Sequence, residues 1–415
     1  MIFGVTLILL GFSIAGISMV RKCFFSPFSC YVFAHLIVAG FCLLGCFNEK
    51  PNFDSDFFLI IAVMHTSFLL GVTSAMKFIP ASSQIRTSQL PPFEIKLSLI
   101  MPVLGIIAVL ILIAKSGSIP LFSHFPEKAR VHLVQGRING ICFAFSIFSS
   151  LIAVRAFVLY GKWSIALLAL LLLILITLTG NRAYVILALV YGIAAQEVIK
   201  KKAIAVSSIL LGIFLLLFFF GVSYLRDTRF QSGGALGESA KFLLNMHLGY
   251  DYLCNGYWNL AVGLNKYLLG RQPFTWGTSS FSGILFWFSD VFDIQQSFHW
   301  DTLFNESVLR FAGLNSACYF WPLIKDFGFI GAGFFVYVFG AITGFCYRNV
   351  GNQTFSSYVY PFLAHQLIFS FNTFWLNEGY MSMVFILLIF AAITVTWNQD
   401  YGEPTLGAHK VIAIN

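Results

Sequence analysis

Charge is scarce in this chain. Its 415 residues hold 25 Lys+Arg and 17 Asp+Glu, so only 10% are charged while 58% are hydrophobic. Mean hydropathy is +0.84, which excludes an ordinary soluble globular protein and places the chain in the membrane class. Cysteine pairs are missing as well: the eight cysteines show no CxxC and no Cys/His metal spacing. Most lie in or beside apolar runs, where Cys behaves as a small hydrophobe. Cys254 and Cys318 fall in a loop, where a disulfide between them is open. The sequence contains no Walker motif, dinucleotide fingerprint, HExxH or acidic metal cluster. An ATP-driven pump and a metal-dependent nucleotide-sugar transferase are therefore disfavoured. No basic residue precedes the first apolar run, and Arg21-Lys22 follow it. That pattern predicts a first spanning helix entering from outside, not a cleaved signal peptide.

Long apolar runs dominate what is present. Eleven are expected to span, at roughly 2–20, 28–47, 57–79, 97–114, 138–160, 163–179, 183–199, 204–224, 327–347, 355–375 and 380–397. The fold class is all-α, a polytopic integral membrane protein. It divides into an N-terminal bundle (1–224), a long outer loop containing short helices (225–326) and a C-terminal part (327–415). With the N-terminus outside, twelve of the 25 Lys+Arg and four of the 17 Asp+Glu fall on the inner side. Inner cations include Arg21-Lys22, Lys77, Arg86, Lys96, Arg155, Lys162, Lys200-Lys201-Lys202, Arg348 and Lys410. The opposite orientation would put the Lys200–Lys202 cluster on the wrong face.

The outer arginines are the anomaly. Arg130, Arg137, Arg182, Arg226, Arg229, Arg271 and Arg310 do nothing for insertion, so an anionic ligand on that side is the candidate reason for them. Arg182, in Thr179-Gly180-Asn181-Arg182, stands at a helix N-terminus where the macrodipole is already positive. A pyrophosphate there would reverse both penalties; lipid-headgroup snorkelling is the bland alternative. The loop Ser118–Arg137 carries two prolines and is expected to fold as a hairpin-like unit. In it Glu127 and Arg130 are three apart, so a local ion pair competes with a phosphate contact; His124 and His132 are candidate proton acceptors. Arg226 and Arg229 flank Asp227 at the membrane surface.

Acids and histidines of the long loop supply candidate general bases, among them His247, His299, Asp301 and Glu306. The run Phe281–Phe292, with Trp276, Trp287 and Trp300 nearby, is expected to lie in the interface. Asp326 is placed to cap the helix that follows it, and Gly340-Ala-Ile-Thr-Gly344 predicts close helix packing. His35, His65 and His365 lie within spans, each a functional candidate or a neutral partner for a neighbouring helix.

Gly117-Ser-Ile-Pro-Leu-Phe122, Glu127-Lys-Ala-Arg130, Gly180-Asn-Arg182 and Leu314-Asn-Ser316, followed by Lys325-Asp-Phe-Gly328-Phe-Ile-Gly331, resemble the Wzy-type O-antigen polymerases. The resemblance implies a glycosyltransferase of the bacterial inner membrane, with N-terminus periplasmic and C-terminus cytoplasmic. It would join undecaprenyl-pyrophosphate-linked oligosaccharide repeat units at the periplasmic face. It would need no cofactor, nucleotide or metal, because guanidiniums would take a cation's part. Implied partners are the lipid-linked oligosaccharide, the bilayer, a chain-length-regulating co-polymerase and a flippase, with no nucleic acid. The expected substrate-binding residues are Arg130, Arg137, Arg182, Arg226, Arg229, Arg310 and Asp326. An O-antigen ligase and a non-enzymatic transporter of lipid-linked sugars are the alternatives. A transporter should show pseudo-repeat halves and broken helices at mid-membrane, whereas this sequence concentrates charge in two loops.

Overall fold

The computed structural model describes residues 2–44, 53, 55–79, 92–123, 126–134, 136–202, 253–265, 276–288, 318–371, 375–377 and 379–401. Among them there is no strand. The helices are α1 (Ile2–Val20), α2 (Pro27–Leu44), α3 (Ser55–Phe78), α4 (Pro92–Ser116), α5 (Pro126–Val134), α6 (Arg137–Tyr160), α7 (Trp163–Leu178) and α8 (Arg182–Lys200). There follow α9 (253–265), α10 (Ser282–Phe288), α11 (Phe320–Asn349), α12 (Thr354–Phe369) and α13 (Gly379–Tyr401). Eight of these are long and apolar enough to cross a membrane, so the chain is a multi-pass membrane protein. α7 is apolar but only 16 residues long. The expected span at 204–224 lies outside the described residues.

The burial pattern shows what holds membrane helices together. The buried residues of α1 are all small, Gly4, Gly11, Ala15 and Ser18, and they face α2. Its large side chains point away: Ile2 is 81% exposed and Leu9 62%. Lipid tails are as apolar as Leu, so burying large groups gains nothing there, and close backbone approach drives the pairing instead. The same logic governs α3 and α11. A Cβ on Gly340 would stand 2.3 Å from the Phe68 carbonyl oxygen, and one on Gly71 would stand 2.0 Å from that of Tyr337. The GxxxG pair Gly340/Gly344 is thus a packing seam.

α11 is not one straight helix. Tyr319 and Phe339 are 20 positions apart, which along a straight helix is about 30 Å, yet their rings lie 6.1 Å apart. The chain folds back at Gly328, whose φ of 66° and ψ of −173° fall in a region open essentially to glycine alone. A first arm, 320–327, therefore returns alongside the second arm, 329–349. Phe327 stacks on Phe335 across the bend with centroids 4.4 Å apart.

Residues expected in a loop are drawn into this body. The Cys318 amide donates to the Gly256 carbonyl at 3.1 Å, and the Tyr319 amide to that of Ser370 at 3.0 Å. Cys254 and Cys318 are both free and fully buried in this structure. Burial pushes the Cys318 thiol up to about 12.

Arg155 also departs from expectation. It is a buried cation, not a loop charge: it pairs with Glu94 of α4, bonds Ser357 Oγ at 3.0 Å and lies 3.8 Å from the Tyr358 ring centre. Tyr358 donates to the same Glu94 carboxylate at 2.9 Å. Arg155 thus holds α4, α6 and α12 together and belongs to the interior, not to the charge count that orients the chain.

Candidate functional site

Three helices begin at one place. Phe143, one turn and a half into α6, has its ring 5.4 Å from that of Tyr184 at the start of α8. It is 5.7 Å from the ring of Tyr380 at the start of α13. The first turns of α6, α8 and α13 therefore converge on Phe143. Each presents N–H groups without an intrahelical partner and the positive end of a helix dipole. α10 covers this cluster: Trp287 donates from Nε1 to the Gly379 carbonyl at 2.7 Å, and its ring is 6.4 Å from that of Tyr380. The run expected to lie in the interface includes this short docked helix.

Arg130 is brought to the same end. α5 packs on α4 and α6, anchored by Leu133, which is buried. From there Arg130 donates from Nη1 to Asn181 Oδ1 at 3.0 Å. Its stem rests on Gly180, where a Cβ would be 3.7 Å from Arg130 Cδ. Gly180 has φ +80°, the left-handed turn that lets α7 stop and α8 begin within three residues. Asn181, the residue before α8, makes no capping bond; its side-chain amide donates to Thr179 Oγ1 at 3.0 Å. Its carbonyl is thereby oriented toward Arg130. Arg182 is the first residue of α8, and Arg137 the first of α6. Close by, Lys115 donates to Asn139 Oδ1 at 3.1 Å. Arginines 130, 137 and 182, separate in sequence, thus lie on α5, at the start of α6 and at the start of α8.

Asp326, expected to cap the helix that follows it, holds a turn well before it in the chain. Its Oδ1 accepts the Ser279 amide at 3.1 Å and its Oδ2 the Ser280 amide at 2.6 Å. Both oxygens secure the turn that leads into α10, so the Asp-Phe-Gly sequence reads as a clamp followed by a hinge. His132 is exposed on α5. Arg226, Arg229, Arg310, His247, His299, Asp301, Glu306 and His124 lie outside the described residues, as does the Glu127 side chain. No three His, Cys, Asp or Glu side chains converge as a metal site among the described residues.

A second polar cluster escaped the sequence. The two intramembrane histidines of α2 and α3 are joined by tyrosines. Tyr319 Oη is 2.8 Å from Tyr31 Oη, which is 2.8 Å from His65 Nδ1. His65 Nε2 is 3.4 Å from Tyr257 Oη, and that hydroxyl is 2.6 Å from His35 Nδ1. His35 Nε2 is 2.8 Å from Ser370 Oγ, which donates to the Leu367 carbonyl at 2.7 Å. That last bond uses the serine proton, so His35 donates from Nε2 and accepts at Nδ1. The order then propagates: Tyr257 donates to His35, His65 donates to Tyr257, Tyr31 donates to His65, and Tyr319 donates to Tyr31. Proton positions are fixed here by the hydrogen-bond pattern. No carboxylate bonds either ring among these contacts, so both imidazoles are neutral. The chain ties α2, α3, α9, the first arm of α11 and the end of α12 together.

Over residues 25–244 the chain matches the family model described as "Putative O-antigen polymerase". The matched stretch includes Arg130 and Gly180-Asn-Arg182 and ends before Asp326. No curated protein matches the chain, and no solved structure does. A match over more than half of the 415 residues is enough to place the protein: it belongs to the O-antigen polymerase family.

Proposed function

We propose that this protein lengthens O antigen, or a related surface polysaccharide, by joining undecaprenyl-pyrophosphate-linked repeat units at the periplasmic face of the inner membrane. The observation that carries the reading is Arg130 seated against Asn181 where α6, α8 and α13 begin. Helix N-termini and guanidiniums together form the environment that a pyrophosphate requires. In the reaction, an acceptor sugar hydroxyl gives its proton to a base as its oxygen attacks the donor anomeric carbon. The bond from that carbon to the pyrophosphate oxygen breaks, and the lipid pyrophosphate departs with the electron pair. Charge grows on the leaving group as this happens, and its stabilisation is the role this reading gives to Arg130, Arg137 and Arg182. The activated glycosyl pyrophosphate supplies the driving force, so no nucleotide is required.

Asp326 serves this reading as a positioning residue, fixing α10 over the cluster. The base is assigned to the long loop, with His247, His299, Asp301 and Glu306 as candidates. The test is reconstitution. Purified protein in vesicles with lipid-linked repeat units should yield a ladder of longer glycans and release lipid pyrophosphate. Release without a ladder, or neither product, would contradict the reading. Transfer only to a lipid A-core acceptor would instead support a ligase.

A further inference from the structure

A cavity of 480 Å3 lies between α1, α2 and α3 and shares no lining residue with the arginine cluster. It exists because the helices pair off. α1 packs on α2, and α3 packs mainly on α11, with only light contact between α2 and α3. The crevice left between the pairs is lined by apolar side chains, among them Phe3, Leu36, Phe53, Phe58 and Ala62. Its neighbours along α3 are lipid-type surface: Leu59 is 65% exposed and Val63 47%. The crevice therefore borders a face of the kind that meets lipid. The inner wall is made of Tyr31, His35, His65 and Tyr257.

That wall decides what the cavity can hold. Its polar atoms are already spent on one another in the chain from Tyr319 to Ser370, with both imidazoles neutral. It presents ring faces and no charge, so neither a phosphate nor a sugar has partners there. A cavity of this size falls in the usual range for small-ligand sites, roughly 300–1,000 Å3. We propose that it receives the polyprenyl chain of the lipid-linked substrate, entering from the bilayer between α1 and α3. The proposal rests on the polymerase reading and adds the place where the lipid is recognised. A branched, unsaturated chain suits a lining rich in phenylalanine, tyrosine and imidazole rings better than a straight saturated one.

The test compares a repeat unit carried on undecaprenyl pyrophosphate with the same unit on geranyl pyrophosphate. Wild-type protein should favour the long chain in kcat/KM, because a geranyl chain leaves part of the cavity unfilled and forfeits those packing contacts. Ala62→Trp and Ala39→Phe, which fill the cavity from opposite walls, should abolish the preference by slowing the long-chain donor alone. Retained preference, or equal loss on both donors, would overturn the assignment. Photolabelling of unaltered protein with a diazirine-bearing undecaprenyl phosphate needs no variant to fold. Label on α1, α2 or α3 is expected, and label confined to other helices would overturn the proposal. Wild-type protein that polymerises neither donor would overturn the polymerase reading itself, whereas the outcomes above concern the cavity alone.

Discussion

Arg130 and Asn181 lie 51 positions apart in the chain and meet through a 3.0 Å hydrogen bond. The contact unites two segments that the expected orientation puts on the outer side. It also fixes the guanidinium at the first turn of α8 through an N-cap side chain that makes no capping bond. Removing the acceptor should therefore disturb the position of Arg130 more than the stability of α8. Asn181→Ala is expected to lower polymerisation about tenfold or more, since a hydrogen bond to a charged group contributes about 1.5–3 kcal/mol. Arg130→Lys should fail to restore activity to Arg130→Ala, because an ammonium lacks the planar fork. Glycan ladders from vesicles containing equal amounts of each protein would check both.

Gly328 is the hinge of α11, and its φ and ψ leave no room for a side chain's preferences. Gly328→Ala should cost about 1–3 kcal/mol and displace the first arm, which carries Tyr319. Thermal unfolding in detergent is the measurement, with a lowered midpoint expected. A variant as stable as the parent would show that the fold-back does not depend on glycine.

Asp326 accepts two backbone amides at 3.1 and 2.6 Å. Asp326→Ala leaves both buried donors without it, at about 1–3 kcal/mol each. Asp326→Asn keeps one acceptor and turns a donor toward the other amide, so it should lie between parent and Ala in stability. If activity instead fell equally in both variants while the melting midpoint stayed unchanged, Asp326 would be acting on substrate and not on α10.

Glu94 and Arg155 form a buried pair with side-chain exposure of 2% each. Glu94→Gln should destabilise strongly, by about 3–5 kcal/mol, because it strands a buried cation. The double change Glu94→Gln with Arg155→Met should recover much of that loss. Midpoints of thermal unfolding for the two proteins give the comparison directly.

The all-helical membrane class was legible from the apolar runs, because span length and hydropathy are local properties. Arg130 and Gly180-Asn-Arg182 could be singled out too, since the expected orientation leaves their cations without a part in insertion. Their meeting could not, because it depends on how α5 packs on α4 and α6. The fold-back at Gly328 was hidden for a related reason. The residues before it, Phe320–Phe327, look like the approach to a span, and only contacts such as Tyr319 with Phe339 reveal the returning arm. His35 and His65 were visible as intramembrane polar groups, but Tyr257 and Tyr319 come from a segment whose sequence suggests a loop. Arg155 misled in the other direction: a cation near a helix end reads as an orienting charge until Glu94 is found beside it.

The most direct measurement is the lipopolysaccharide ladder made by a strain whose only copy of the gene carries Arg130→Ala or Arg182→Ala. Protein levels in the membrane should match the parent, and the core should carry single repeat units in place of long chains. Full-length ladders from both variants would contradict an arginine clamp for pyrophosphate at the start of α8.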